Sequence, residues 1–143
     1  MLMGTYQNSI DAKNRFSVPA KFRDELGGRC VLTRGLDDCL EIYPMSTWNK
    51  QEEDFARLPR SDEKARAYLR YTYANAVECD IDKQGRTVLP QFLREVAHIE
   101  KDLVTIGMRD RIEIWARDVY EQDRNGGKLT AEDLAVIGDK YQV

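Results

Sequence analysis

The segment SIDAKNRFSVP, residues 9–19, returns as DIDKQGRTVLP at residues 80–90. Overlaid, Ile10 falls on Ile81, Asp11 on Asp82, Arg15 on Arg86 and Pro19 on Pro90. The match runs outward from this phrase. Arg23 falls on Arg94. With one extra residue in the second copy, Thr33 meets Thr105, Gly35 meets Gly107, Asp38 meets Asp110, and Glu41-Ile42 meets Glu113-Ile114. Ten identities in register, spread over both halves, mark a tandem duplication of a unit of about 70 residues.

Both copies predict the same elements. A lead strand (4–10 and 75–81) runs into a tight turn, DAKNR or DKQGR, where Asn14 and Gly85 hold matching positions. Both residue types tolerate positive φ, so a left-handed turn residue is expected there. A short strand follows (16–18 and 87–89). Pro19 and Pro90 then suit the first position of the helices 20–26 and 91–97, where a missing N–H costs nothing. An alternating, β-branched hairpin closes each unit (29–43 and 102–115). The segments after the hairpins diverge. A helix over 44–58 starts near Pro44, and another spans 61–76, with Ser61 and Lys64 as a partial capping pattern. In the second copy a helical stretch stops at Gly126-Gly127, and Thr130 caps a last helix. The expected units are 1–76 and 77–143. Each half alone is marginal in size. Two copies can cover each other's strand edges by pairing, which predicts one intertwined α+β domain with a pseudo-two-fold closed sheet and flanking helices.

Composition narrows the function classes. Apolar residues make up 42% and charged residues 33%, the profile of a soluble globular chain. No apolar run reaches the roughly 20 residues of a membrane span. The N-terminal stretch reads neither as a signal peptide nor as an acylation site. Cys30, Cys39 and Cys79 are odd in number and lack CxxC spacing, which argues against a disulfide framework or zinc site and suits a reducing cytoplasm. The single histidine, His98, sits near a helix end with no ligand-like neighbour, where a capping or surface role is the simpler reading. No metal, cofactor or small-molecule substrate is expected. An enzyme would need a nucleophile beside a base or a convergent acid–base pair. The duplicated aspartates are the only candidates, and turn geometry explains them better. The net charge of −3 weighs against nucleic acid, but cations can still be gathered on one face.

Asp11 and Arg15, like Asp82 and Arg86, stand four apart across a tight turn. One reading is a local ion pair that fixes the loop, with the carboxylate accepting backbone N–H groups. The other is that the aspartate orders the loop while the guanidinium projects from it, able to bind phosphate or to read guanine in the major groove. Lys13 and Lys83 lie in the same loops and can add phosphate contacts. Arg23 and Arg94 read as solvated or ion-paired helix surface. The aromatic stretch with Tyr68, Tyr71 and Tyr73 reads as a buried or subunit-facing stripe. A two-fold object suits a two-fold or repeating partner, and DNA is such a partner.

The doubled DAKNR…P and DKQGR…P, with the opening MLMGTYQNSIDAKNRFSVPAKFRDEL and the segment ECDIDKQGRTVLP, resembles the MraZ family and its two Asp-x-x-x-Arg signatures. The resemblance covers nearly the whole chain. It implies a swapped-hairpin (double-split) β-barrel of the AbrB-like superfamily. It also implies a cytoplasmic, nucleoid-associated bacterial regulator that binds short tandem repeats in double-stranded DNA upstream of its own gene, at the head of a division and cell-wall gene cluster. Ring-shaped homo-oligomers are implied too, and multivalency would then offset weak single contacts. Trp48, Tyr68 and Tyr71 are expected as subunit contacts. Carried over, Lys13, Asn14, Arg15, Lys83 and Arg86 would face DNA, and Asp11 and Asp82 would order the loops. Asn14 stands where the first motif often has glycine, and the acidic segment after Gly127 matches the family poorly. The alternative is an oligomeric scaffold, an antitoxin-like barrel that binds a partner protein. The net charge and acidic tail lean that way.

Overall fold

The computed structural model describes residues 1–124 and 129–143; the expected Gly126-Gly127 helix stop lies outside them. In chain order, β1 (Leu2–Ser9) and β2 (Arg15–Ser17) lead through a 3₁₀ turn (Ala20–Phe22) into α1 (Arg23–Leu26). The hairpin β3 (Arg29–Arg34) and β4 (Leu40–Pro44) follows, then α2 (Met45–Ala56) and α3 (Glu63–Ala74). The second copy supplies β5 (Val77–Asp80), β6 (Arg86–Val88), α4 (Gln91–Val96), β7 (Asp102–Arg109) and β8 (Ile112–Ala116). Then come a short α5 (Arg117–Val119), a π-helical turn (Tyr120–Arg124) and α6 (Ala131–Tyr141).

Six strands form one antiparallel sheet in the order β1-β7-β8-β4-β3-β5, and β2 pairs only with β6. The order is its own mirror image under exchange of the repeats. The lead strand of each copy pairs with the hairpin of the other: β1 with β7, from Leu2 opposite Arg109 to Ser9 opposite Asp102, and β5 with β3. The two hairpins meet at the centre, where Glu41 of β4 faces its counterpart Glu113 of β8. Like charges opposite one another repel, and here Arg111 Nε donates to Glu41 at 2.7 Å while Trp115 Nε1 donates to Glu113 at 2.9 Å. The expected closed sheet is met only in part. The short strands β2 and β6 pair with each other, so they do not join β1 to β5, which stand as the two edges.

Period-2 alternation sorts side chains to the two faces of this sheet. Leu32, Leu40, Ile42, Leu103, Ile112 and Ile114 point into one main core. Phe16, Val18 and Leu89 around the β2–β6 ribbon, and Phe22 and Leu93 around α1 and α4, close that core from the other side. On the opposite sheet face Val31 and Tyr43 pack with Trp48 and Phe55 of α2. Trp48 and Tyr71, expected as subunit contacts, are engaged internally. Trp48 stacks edge-on to Tyr43, Phe55 and Tyr73, and the Tyr71 hydroxyl donates to the Gly35 carbonyl at 2.7 Å with Arg34 over its ring. Tyr68 and Tyr73 stay partly exposed.

Two local expectations need correction. Pro19 and Pro90 stand one residue before their helices in extended geometry, with ψ of 136° and 146°; Pro44, expected only near the start of its helix, holds the same place at ψ 147°. Their carbonyls, not their rings, open the first turn: Phe22 N–H donates to Pro19 O and Arg94 N–H to Pro90 O. Asp62 rather than Ser61 caps α3, accepting from the N–H groups of Lys64 and Ala65. Thr130 caps α6 as expected, in a reciprocal capping box with Asp133.

Candidate nucleic-acid interface

Each duplicated loop is built around its aspartate. Asp11 Oδ1 accepts from the backbone N–H groups of Lys13 and Arg15, both at 2.9 Å, and Asp82 Oδ1 accepts from those of Gln84 and Arg86 at the same distance. The loop closes through Asn14 N–H to Asp11 O and Gly85 N–H to Asp82 O. Asn14 and Gly85 take the left-handed conformation the turn requires, with φ of 59° and 79°. The remaining carboxylate oxygen grips the arginine. Arg15 Nε donates to Asp11 Oδ2 at 2.6 Å and Arg86 Nε to Asp82 Oδ2 at 3.0 Å. The carboxylate thus fixes the turn, as the first reading expects, and also holds the guanidinium at Nε. Among the described residues neither arginine uses its terminal Nη groups on another side chain. The backbone N–H of Arg15, with its guanidinium and the Lys13 N–H adding, holds the Asp11 carboxyl below its ordinary value against partial desolvation. Asp82 is held down in the same way by Arg86 and Gln84.

The two loops are tied across the repeats. Val18 N–H donates to Gly85 O at 2.8 Å and Leu89 N–H to Asn14 O at 2.9 Å, so each left-handed residue anchors the end of the other copy's strand. Between these ties Arg15 faces Val88, Phe16 faces Thr87 and Ser17 faces Arg86. Phe16 and Thr87 point inward, whereas Arg15, Ser17, Arg86 and Val88 share the outward face. Arg15 and Arg86 thus sit diagonally on one ribbon, their Cα atoms about 8 Å apart by strand geometry. Lys13 and Lys83 are exposed on the loops at its two ends. Four cations gather here against two carboxylates, and each carboxylate is already engaged in ordering a loop. The local charge is positive on a chain that is acidic overall.

Arg23 is exposed and Arg94 half-buried, in keeping with the surface expected of them, but each also makes a bond that the expectation did not include. Arg23 Nε donates to Val18 O at 3.0 Å and Arg94 Nε to Leu89 O at 2.9 Å, so both brace the ends of the ribbon. The duplication pairs these arginines but does not disclose a bond to a distant carbonyl. A second feature without a sequence signal is Val88, which is 55% exposed beside the arginines. His98 is exposed at φ 58° just past α4, where the first copy has Gly27 at φ 68°, so its place is a left-handed helix stop. Among the described residues no group of His, Cys, Asp and Glu could hold a metal ion, and no helix is long and apolar enough to cross a membrane.

The fold and site define a tandem-duplicated α+β protein that presents two aspartate-ordered arginine loops on one β-ribbon. The family model described as "MraZ protein, putative antitoxin-like" matches residues 1–71 and again 72–125. A transcriptional regulator MraZ of Thermoanaerobacter pseudethanolicus is 50% identical over 143 residues, all of both chains. One from Caldanaerobacter subterraneus subsp. tengcongensis is 46% identical over the same span, and one from Clostridium tetani is 46% identical over 135 residues, 94% of each chain. The chain belongs to the MraZ family.

Proposed function

We propose that this chain is a sequence-specific transcriptional regulator that binds double-stranded DNA through the β2–β6 ribbon and its two flanking loops. The observation that carries this reading is the shared outward face of Arg15 and Arg86, each held at Nε with its terminal nitrogens left for a partner. Two arginines whose Cα atoms lie about 8 Å apart by strand geometry fit within one major groove, which is roughly 12 Å wide and admits a two-stranded ribbon. Arg15 and Arg86 read bases or grip phosphates, Lys13, Lys83 and Asn14 add contacts, and Asp11 and Asp82 order the loops. The name carried by the relatives, transcriptional regulator, points the same way. The target is promoter DNA with tandem repeats upstream of the chain's own gene, and the outcome is repression of a division and cell-wall gene cluster. This places the protein in the cytoplasm at the nucleoid, as a regulator rather than an enzyme.

The units 1–76 and 77–143 act as one intertwined domain of the swapped-hairpin barrel type, a reading supported by the exchange of lead strands and the ribbon between the copies. The working form is a ring-shaped homo-oligomer. Apolar surface on α6, where Leu134, Ile137 and Tyr141 lie exposed at helical spacing, supports self-association.

Fluorescence anisotropy on the promoter fragment, with scrambled DNA as control and a salt series, tests the reading. Wild type is expected to prefer the promoter, and the Arg15→Ala/Arg86→Ala variant to lose that preference. Equal binding by the two proteins would make the loops structural. The second reading, an antitoxin-like scaffold for a partner protein, is favoured by the same exposed α6 and by the family's description. It predicts a protein complex that survives loss of both arginines.

A further inference from the structure

The cysteines carry a relationship unrelated to the DNA reading. Cys30 on β3 stands directly opposite Cys79 on β5, in register across the junction of the two repeats. Both are reduced, and both side chains point into the main core. Residues paired in an antiparallel ladder have Cα atoms about 4.5–5.5 Å apart, inside the roughly 4.4–6.8 Å window of a disulfide. The Cys79 thiol donates to Val77 O at 3.7 Å. Hydrogen bonding with Cys30, and further with Thr87, draws the Cys79 thiol down, while the Cys79 neighbour and then burial push Cys30 up. Cys79, on the edge strand and 8% exposed where Cys30 is fully buried, is the sulfur an oxidant reaches first, and Cys30 is the resolving thiol. Access follows from topology. β5 is a four-residue edge strand and Cys79 is 8% exposed, so local fraying of this strand admits a small oxidant.

We propose that Cys30 and Cys79 form a redox modification site, a dithiol that a hydroperoxide closes to a disulfide within the folded chain. The Cys79 thiolate attacks the peroxide oxygen, the O–O bond breaks, and the peroxide leaves as alcohol, or as water from hydrogen peroxide. Cys79 is then a sulfenic acid. The Cys30 sulfur, giving up its proton, attacks the Cys79 sulfur, and a water molecule leaves. Two thiols lose two electrons and two protons, and the hydroperoxide is reduced to alcohol and water. The bond ties the first strand of the second repeat to the hairpin of the first, three residues ahead of Asp82. Cys39 lies apart, buried with Val104 and Trp115 on the other sheet face.

The test treats the folded full-length protein with hydrogen peroxide, quenches with a thiol alkylator, and maps peptides without reduction. The expected product is a Cys30–Cys79 cross-linked peptide in wild type and in Cys39→Ser, with the intact monomer two hydrogens lighter. The oxidised monomer should also unfold at higher urea than the reduced one, because a cross-link constrains the unfolded chain. A cross-link that forms only in denaturant overturns the proposal. So does oxidation confined to Cys39, retention of both thiols, or a lowered urea midpoint. Because the product is read by mass, the result stands whatever the DNA assay shows.

Discussion

Arg15 and Arg86 occupy diagonal corners of the β2–β6 ribbon, Arg15 opposite Val88 and Arg86 opposite Ser17, and each is clamped at Nε by the aspartate four residues before it. Lysine at these corners keeps the charge but loses the planar fork and its clamp. The Arg15→Lys/Arg86→Lys protein should keep most of its affinity for scrambled DNA and much of its salt dependence. Its preference for the promoter should fall by about 1–3 kcal/mol for each guanine that is no longer read by a paired guanidinium. Anisotropy on both DNAs measures this. A lysine variant that discriminates as well as wild type would limit the arginines to phosphate binding.

Gly85 and Asn14 are equivalent in the duplication but not in space. A Cβ at Gly85 would lie 2.3 Å from Arg23 Nε, and Arg23 cannot simply swing aside without losing its bond to Val18 O. Positive φ adds a further penalty. Gly85→Ala should therefore destabilise the protein by about 1–2 kcal/mol or more, whereas Asn14→Gly, which suits its φ of 59°, should be close to neutral. Urea midpoints of the two variants check the contrast. A neutral Gly85→Ala would mean that Arg23 is not a brace.

The asymmetry between those two positions also shows what one sequence makes legible. The duplicated Asp and Arg disclose the loops because an Asx-type turn is a local event, settled within five residues. Thr130 discloses the cap of α6 for the same reason. The prolines mislead by one position: a fixed φ leaves ψ open, so proline suits the cap as well as the first turn. The bonds of Arg23 and Arg94 are not legible, because their acceptors lie at strand ends positioned by the other repeat. The duplication suggests a closed sheet. Whether β2 and β6 join the main sheet or pair with each other depends on tertiary packing that periodicity does not encode. The exposed face of α6 has the same helical spacing as a buried one.

Asp11 and Asp82 also give the fold a defined acid sensitivity. Both carboxyls titrate below their ordinary value in the folded chain. The stability they contribute is fully present above the unfolded-state value of about 3.9, and is lost as pH falls through the lower, folded-state value. Urea midpoints measured from neutral pH down past pH 4 should fall less steeply in Asp11→Asn/Asp82→Asn than in wild type. At neutral pH the double variant should be the less stable of the two. Parallel pH profiles would show that the carboxylates do not support the loops. No stability change is expected from these two groups between pH 6 and 8.

The last helix separates folding from assembly. No residue of α6 is buried, although Leu134, Ile137 and Tyr141 recur at helical spacing on one face, and Leu129 and Val136 are exposed as well. An 11-residue helix is marginal by itself in water, so an apolar face of this kind gains from being covered. Removing residues 129–143 should leave the monomer fold intact, with the urea midpoint shifted by no more than about 0.5 kcal/mol equivalent, as for other surface changes. The same truncation should lower the assembly mass in sedimentation velocity, if α6 is a subunit contact in the proposed ring. A sharply lower midpoint would mean that α6 covers the core of its own chain. An unchanged mass with an unchanged midpoint would remove α6 from the assembly. The apolar face would then be left to a partner protein, which a pull-down comparing full-length and truncated chains would detect.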